Sequence, residues 1–199
     1  MIKFSQNVND IPLEFFTSNN LFSPGGIDKG TLFMILSAEI ATTNGVHNCD
    51  CSQSDYILDL GCGYGAVGIY FAKILSPQNV LMSDIDAKAV ELATKNAEQN
   101  GVSGIKIIKS DGFKNLTMSG FTHIFSNPPY HADFGIPKHF IEKGFNRLKL
   151  GGTMHMVTKR KDWYKNKLTA IFGGVRILQQ GGYYVFQAEK RQKRYANRI

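Results

Sequence analysis

Residues 126–131 read Ser-Asn-Pro-Pro-Tyr-His, and four of them form a set that could do chemistry. Asn127 carries an amide oxygen that accepts hydrogen bonds. Pro128 and Pro129 fix φ, bring no N–H to compete, and keep their carbonyls turned outward. The amide oxygen and the Pro128 carbonyl could accept both N–H bonds of a planar NH₂ group, with the Tyr130 ring stacked on the π system that carries it. The nitrogen of such a group is a poor nucleophile, because its lone pair is delocalised. Two acceptors aim that lone pair and favour a more tetrahedral nitrogen as a new bond forms. An Asn-Pro-Pro run can also simply end a strand, so its meaning depends on what stands beside it.

A second set lies in residues 59–68, Asp-Leu-Gly-Cys-Gly-Tyr-Gly-Ala-Val-Gly. Gly61, Gly63 and Gly65, with Cys62 between the first two, remove side chains where the backbone must turn sharply, let a ligand lie against it, and lead into a helix whose first N–H groups are unpaired. The same stretch contains Gly63-x-Gly65-x-x-Gly68, the dinucleotide fingerprint, with Asp84 at about the expected twenty residues further on. The glycines alone do not choose between these readings and a plain tight turn. Asp84, in Ser-Asp-Ile-Asp, could accept both hydroxyls of a ribose, whereas Asp86 suits a helix cap. Asp111, in Ser-Asp-Gly-Phe, brings a further carboxylate or an ordinary turn residue.

The elements that must position these groups alternate. Strands are expected at 56–60, 80–84, 105–109, 121–125 and 152–158. Helices are expected at 66–75, 86–100, 137–148 and 161–172, the second with Asp86 at its start and Gly101 just past its end. Residues 174–180 and 183–190, joined by Gly181-Gly182, read as a hairpin. The alternation implies a Rossmann-like, doubly wound α/β domain: a seven-stranded, mostly parallel sheet with an antiparallel strand added by the C-terminal hairpin. Asp59, Asp84, Asp111 and Asn127 then all reach the carboxyl edge of the sheet, where such folds bind ligands. Residues 1–50 hold a short strand candidate, a turn at Phe-Ser-Pro-Gly-Gly, a helix over about 28–42 and a polar linker. The expected organisation is a segment 1–50 and a core 51–199 within one domain.

A glycine loop preceded by Asp59, with acids ending the second and third strands, resembles the class I S-adenosylmethionine-dependent methyltransferases. That resemblance implies S-adenosylmethionine as cofactor. The 61–65 loop would lie along its methionine part, Asp84 would hold the ribose, Ile85 would pack on the adenine, and Asp111, beside Gly112, would receive the adenine amino group. The Asn-Pro-Pro-aromatic tetrad marks methyltransferases that act on amino nitrogens of nucleic-acid bases or of glutamine in release factors, and it speaks against a dehydrogenase. Upstream, residues 21–36, Leu-Phe-Ser-Pro-Gly-Gly-Ile-Asp-Lys-Gly-Thr-Leu-Phe-Met-Ile-Leu, resemble the segment before the core in the small-domain family of ribosomal RNA guanine-N2 methyltransferases. By that analogy residues 1–50 cover the cofactor, with Asp28, Gly30 and Thr31 near its methionine end. Those enzymes often carry an extra N-terminal half and commonly have Phe where this chain has Tyr130. The glutamine enzymes share Asn-Pro-Pro-Tyr but bring a helical N-terminal domain that some fifty residues here do not supply.

Charge agrees with a polyanionic partner. The chain of 199 residues carries a net charge of +7, and residues 159–167 and 189–199 mix Lys and Arg with Trp163, Tyr164 and Tyr195, suited to phosphate contact and stacking or simply to solvated surfaces. Three cysteines and no apolar leader point to the cytosol. The run His-Asn-Cys-Asp-Cys at 47–51 fits no closed zinc pattern, so no metal is expected. The expected activity is methylation of an exocyclic base amine in RNA, with guanine N2 of small-subunit (16S) ribosomal RNA the favoured target and RNA or a ribosomal particle the partner. A glutamine methyltransferase, a non-catalytic RNA-binding assembly factor and a nicotinamide oxidoreductase are the alternatives.

Overall fold

The computed structural model describes residues 2–18, 25–40, 55–129 and 133–196. A seven-stranded sheet forms its centre. Strands β3 (Ile57–Leu60), β4 (Val80–Asp84), β5 (Lys106–Lys109), β6 (Phe121–Ser126) and β7 (Leu148–Thr158) run parallel, and β8 (Arg176–Gln180) and β9 (Tyr183–Glu189) add an antiparallel hairpin, in the order β5-β4-β3-β6-β7-β9-β8. The order reverses at β3, whose neighbours are β4 and β6, so ligand-binding loops gather where these two strands part. The central strands are buried throughout, β3 and β6 almost without a break, as parallel strands covered on both faces must be.

Helices α1 (Lys29–Leu36), α2 (Ala66–Ile74) and α3 (Ala87–Gln99) share one hydrophobic cluster, with Met34, Phe71 and Ala93 meeting Phe125 and Val185 of the sheet. Helices α4 (Gly135–Arg147) and α5 (Lys161–Phe172) build the other around Phe145, Leu168 and Phe186. Asp86 caps α3 by accepting from the Lys88 amide at 2.9 Å, and Gly101 follows at φ 71°. Helix α4 begins at Gly135, two residues before the expected start, and β7 begins at Leu148 rather than 152.

The N-terminal segment departs most from expectation. It contains two strands, β1 (Ile2–Val8) and β2 (Ile11–Thr17), paired antiparallel through a two-residue turn in which Asn9 and Asp10 both have positive φ. Phe15, Leu13 and Val8 enter the α1–α3 cluster. Two asparagines of α3 secure the open side of β2. The fully buried Asn96 accepts from the Phe16 amide and donates to the Phe16 and Tyr64 carbonyls, while Asn100 makes the same reciprocal pair with Glu14. Side-chain amides thus complete a strand edge that would otherwise bury unpaired backbone groups. Helix α1 ends at Leu36, with Ser37 as its C-cap, shorter than the expected span.

Candidate functional site

The loop after β3 turns through Gly61, Gly63 and Gly65, all at positive φ, before α2 begins. Its amides are largely committed within the protein: Gly61 and Cys62 donate to the Ser83 carbonyl and Gly63 to Asp84 Oδ2, while Gly68, inside α2, donates to Asp59 Oδ2. A free row of N–H groups for an anion, expected at the helix start, is therefore reduced by two carboxylates. Asp84 also accepts from the Asp86 amide through Oδ1 at 2.9 Å. Each of its oxygens has spent one lone pair on the backbone and retains another for a hydroxyl.

Burial drives the electrostatics of this loop. Asp59 is 3% exposed, and desolvation pushes its carboxyl up to about 7, against the Gly68 hydrogen bond and with some help from the Asp84 charge. Burial also raises the Cys62 thiol well above its ordinary range, so Cys62 is a neutral wall of the loop and no thiolate nucleophile.

Asn127 follows β6 and faces α1. Its Nδ2 donates to Thr31 Oγ1 at 2.9 Å and to Asp28 Oδ2 at 3.4 Å. Asp28 is the N-cap of α1, accepting from the Thr31 amide, and its other oxygen accepts from the Tyr183 hydroxyl at 2.9 Å. A carboxylate can only accept, which fixes the NH₂ end of the amide toward it. The Asn127 Oδ1 is left buried with no hydrogen-bond partner among the described residues. Leaving a buried acceptor unpaired costs roughly 1–3 kcal/mol.

Two joined cavities surround these groups. The smaller, about 280 Å³, is lined by Asp28, Thr31, Asp59, the 61–64 loop, Asp84, Asp86 and Asn127. The larger, about 950 Å³, carries Ile85, Asp111, Gly112, Phe113, His139 and Phe140. They share Gly61, Asp84 and residues 127–129. Four carboxyls and no Lys, Arg or His line the smaller cavity. That lining suits a ligand with positive charge and hydroxyls, and repels the pyrophosphate of a dinucleotide. Ile85 is 62% exposed beside the larger one, an open apolar surface for a flat ring.

The family model for the methyltransferase small domain matches residues 12–187. The chain belongs to that family. A Bacillus subtilis (strain 168) protein, the uncharacterised YbxB, is 33% identical over 181 residues, covering 88% of this chain and 85% of its own. Ribosomal RNA small subunit methyltransferase C of Pseudoalteromonas atlantica is 32% identical over 178 residues, 87% of this chain and 48% of that one. Among solved structures, the T. thermophilus 16S rRNA N2 G1207 methyltransferase RsmC, in complex with AdoMet and guanosine, superposes with TM-score 0.80 at 25% identity, over 95% of this chain and 50% of that chain. The chain thus spans about half the length of the ribosomal RNA methyltransferases it matches.

In this member of the family the structure gathers most of the residues singled out from the sequence around the two cavities. Asp28, Thr31, Asp59, Gly61, Cys62, Gly63, Asp84, Asn127, Pro128 and Pro129 line the smaller cavity, and Ile85, Asp111 and Gly112 the larger. Gly65 sits one step behind, as the N-cap of α2. Tyr130 lies outside the described residues, as does the 47–51 stretch; among the described residues no cluster could hold a metal ion. The sequence reading missed Tyr183, whose ring lies across the first turn of α1. A side chain at Gly30 would strike that ring, so the Gly-Thr pair after Asp28-Lys29 was the available signal.

Proposed function

We propose that this chain is an S-adenosylmethionine-dependent methyltransferase acting on an exocyclic base amine of RNA, guanine N2 of small-subunit (16S) ribosomal RNA. The observation that carries the reading is the Asn127 amide: its donors are tied to Thr31 and Asp28, and its oxygen is buried and unpaired. An amine that brings an N–H to that oxygen relieves a cost the fold already bears. The family match and the guanosine and AdoMet held by the RsmC neighbour support the same reading.

The cavities fit the cofactor. Asp59 and the Gly61–Gly65 loop would flank its methionine portion, Asp84 its ribose, Ile85 one face of its adenine, and Asp111 with Gly112 the adenine edge. The segment 1–50 covers it through Asp28 and Thr31, which line the same space. When bound, S-adenosylmethionine supplies an electrophilic methyl on a positively charged sulfur that departs as a neutral thioether. The protein needs no covalent intermediate of its own; its task is alignment. Asn127 Oδ1 and the Pro128 carbonyl accept the two N–H bonds of the amine and turn its lone pair toward the methyl, and Tyr130 stacks on the base. Neither acceptor is basic enough to keep a proton, so the proton shed by the nitrogen passes to water at the mouth, where Pro129 is exposed.

Purified protein, labelled cofactor and small-subunit RNA from cells lacking the gene provide the test, read by mass spectrometry of the nucleosides. The expected product is N2-methylguanosine. Transfer to a protein glutamine, or to no substrate, overturns the proposal.

A further inference from the structure

The starts of the two basic stretches, residues 159–161 and 189–191, sit at opposite edges of the sheet. Strands β6 and β7 are parallel, with Ser126 beside Met156, so residues 159–161 emerge on the same edge as Asn127 and Pro128. β9 runs antiparallel, with Tyr184 beside Thr158, which brings Tyr183 to that edge and Glu189, with Lys190 and Arg191 after it, to the other. A strand of this length places them about 20 Å away.

The chemistry of the two stretches differs as well. At the mouth, each of three consecutive exposed cations lies over an aromatic ring: Lys159 over Tyr183 at 4.9 Å, Arg160 over Phe134 at 5.0 Å and Lys161 over Tyr184 at 5.5 Å. Phe134 is exposed and stacks on Trp163 with centroids 4.4 Å apart and planes 16° from parallel. Tyr183 in turn holds Asp28, the carboxylate that orients Asn127, so this rim touches the catalytic network directly. Asp133 and Asp162 are the acids beside it, and Asp133 is engaged with the Gly135 amide. Part of the tail is engaged with the fold, Lys190 also lying over the Phe145 ring at 4.8 Å, while Lys193 and Arg194 are exposed there. Lys190 is buried and donates to the Leu148 carbonyl, Arg191 pairs with Glu189, Tyr195 donates to the Glu142 carbonyl, and the Ala196 amide to Ile171.

We propose that Lys159, Arg160 and Lys161, with Phe134 and Trp163, form the surface that grips single-stranded RNA on either side of the target base, and that the C-terminal cations take no part. This rests on the RNA reading above. Cations set on rings suit backbone phosphates, and the exposed Phe134, backed by the half-buried Trp163, suits an unstacked base, which an enzyme that must reach a base amine requires nearby.

The test compares the full chain with two triple variants, Lys159→Gln/Arg160→Gln/Lys161→Gln and Arg191→Gln/Lys193→Gln/Arg194→Gln. Each lowers the net charge from +7 by three to +4, so total charge is matched. The probe is a fluorescent single-stranded RNA containing unmodified guanosine, titrated at several salt concentrations. The rim variant is expected to lose at least about tenfold in affinity, with the logarithmic salt slope shallower by about 2, from ~0.7 per phosphate contact on a single strand. The tail variant should stay within about twofold. Phe134→Leu should weaken binding about fivefold or more without changing the slope, the mark of stacking. Adenosylhomocysteine affinity should be equal in all forms. Equal losses in both triple variants, or a rim variant that binds as the unaltered chain does, overturn the proposal while leaving the methyltransferase reading in place. Absence of RNA binding and RNA methylation by the unaltered chain overturns both.

Discussion

The orientation of the Asn127 amide makes an unusual demand on Asn127→Asp. In the native site the amide nitrogen sits 3.4 Å from Asp28 Oδ2. A carboxylate at 127 would place two negative charges at that separation, a repulsion of ~5 kcal/mol at an effective dielectric of ~20, or roughly 3.5 pH units. Part of this is relieved by movement and water, and the rest keeps one proton on the pair well above the usual carboxylate range. The proton goes to the new group, because the Asp28 charge is already held by the Tyr183 hydroxyl and the Thr31 amide. A protonated carboxyl at 127 then imitates the native amide, with its O–H on Asp28 and its carbonyl oxygen toward the substrate. Single-turnover methylation by this variant, divided by the native rate at each pH, should rise as pH falls, by up to about tenfold per pH unit, and level off once the pair holds its proton. Asn127→Ala should stay about 100- to 1,000-fold down at every pH, the usual effect of losing one preorganised hydrogen-bonding group. Adding Asp28→Asn to the Asp variant should abolish the rise, since the like charge is gone. A relative rate for Asn127→Asp that is flat in pH would refute the assignment of the amide ends and with it the role of Asp28.

Other perturbations test the frame around this site. Asp59 is held protonated in the fold up to about pH 7, against an ordinary value of 3.8, so between these values the native state binds more protons than the unfolded chain. Stability should fall as pH rises through that window, by up to roughly 4 kcal/mol; urea unfolding without cofactor should show this, and Asp59→Asn should remove it. Asn96→Ala leaves the Phe16 amide and the Phe16 and Tyr64 carbonyls without their partner, which should lower stability by about 3 kcal/mol or more, or Tm by ~6–12 °C. Gly30→Ala drives a methyl into the Tyr183 ring and should cost about 1–3 kcal/mol, most of it recovered by adding Tyr183→Ala; no recovery in calorimetry would mean that the clash lies elsewhere.

The central strands and helices were legible because burial on both faces forces continuous apolar runs, and α3 announces both ends through Asp86 and Gly101. The loop glycines and the acids at 59, 84 and 111 were legible for a related reason: each stands within a residue or two of a strand end, so placing the strand places the side chain. The β1–β2 hairpin was half missed. Its turn is Asn9-Asp10, without the glycine that usually marks a two-residue turn, and its open side is finished by Asn96 and Asn100, far along the chain. The partners of Asn127 were illegible in the same way. Asp28 and Thr31 were expected against the cofactor; they line the smaller cavity and also hold the amide across nearly one hundred residues of sequence, and Tyr183 joins them from β9. Contacts between single polar residues on distant elements leave no periodicity behind.

Net charge illustrates the same limit in another form. A total of +7 is compatible with a basic, an acidic or a mixed site, and here the fold separates the signs. Acids at the ends of β3 and β4 and at the N-caps of α1 and α3 give the smaller cavity its four carboxyls, so it favours a cationic ligand within a basic protein. Cations that follow β7 lie just outside it, on rings supplied by β9 and by the start of α4. A positively charged methyl donor and a polyanionic acceptor strand can therefore approach the same asparagine from surfaces of opposite sign, each repelled from the place of the other. The sorting follows from strand direction: the edge that gathers the acids is the edge at which β7 releases its cations, while the antiparallel β9 carries Lys190 and Arg191 to the far side.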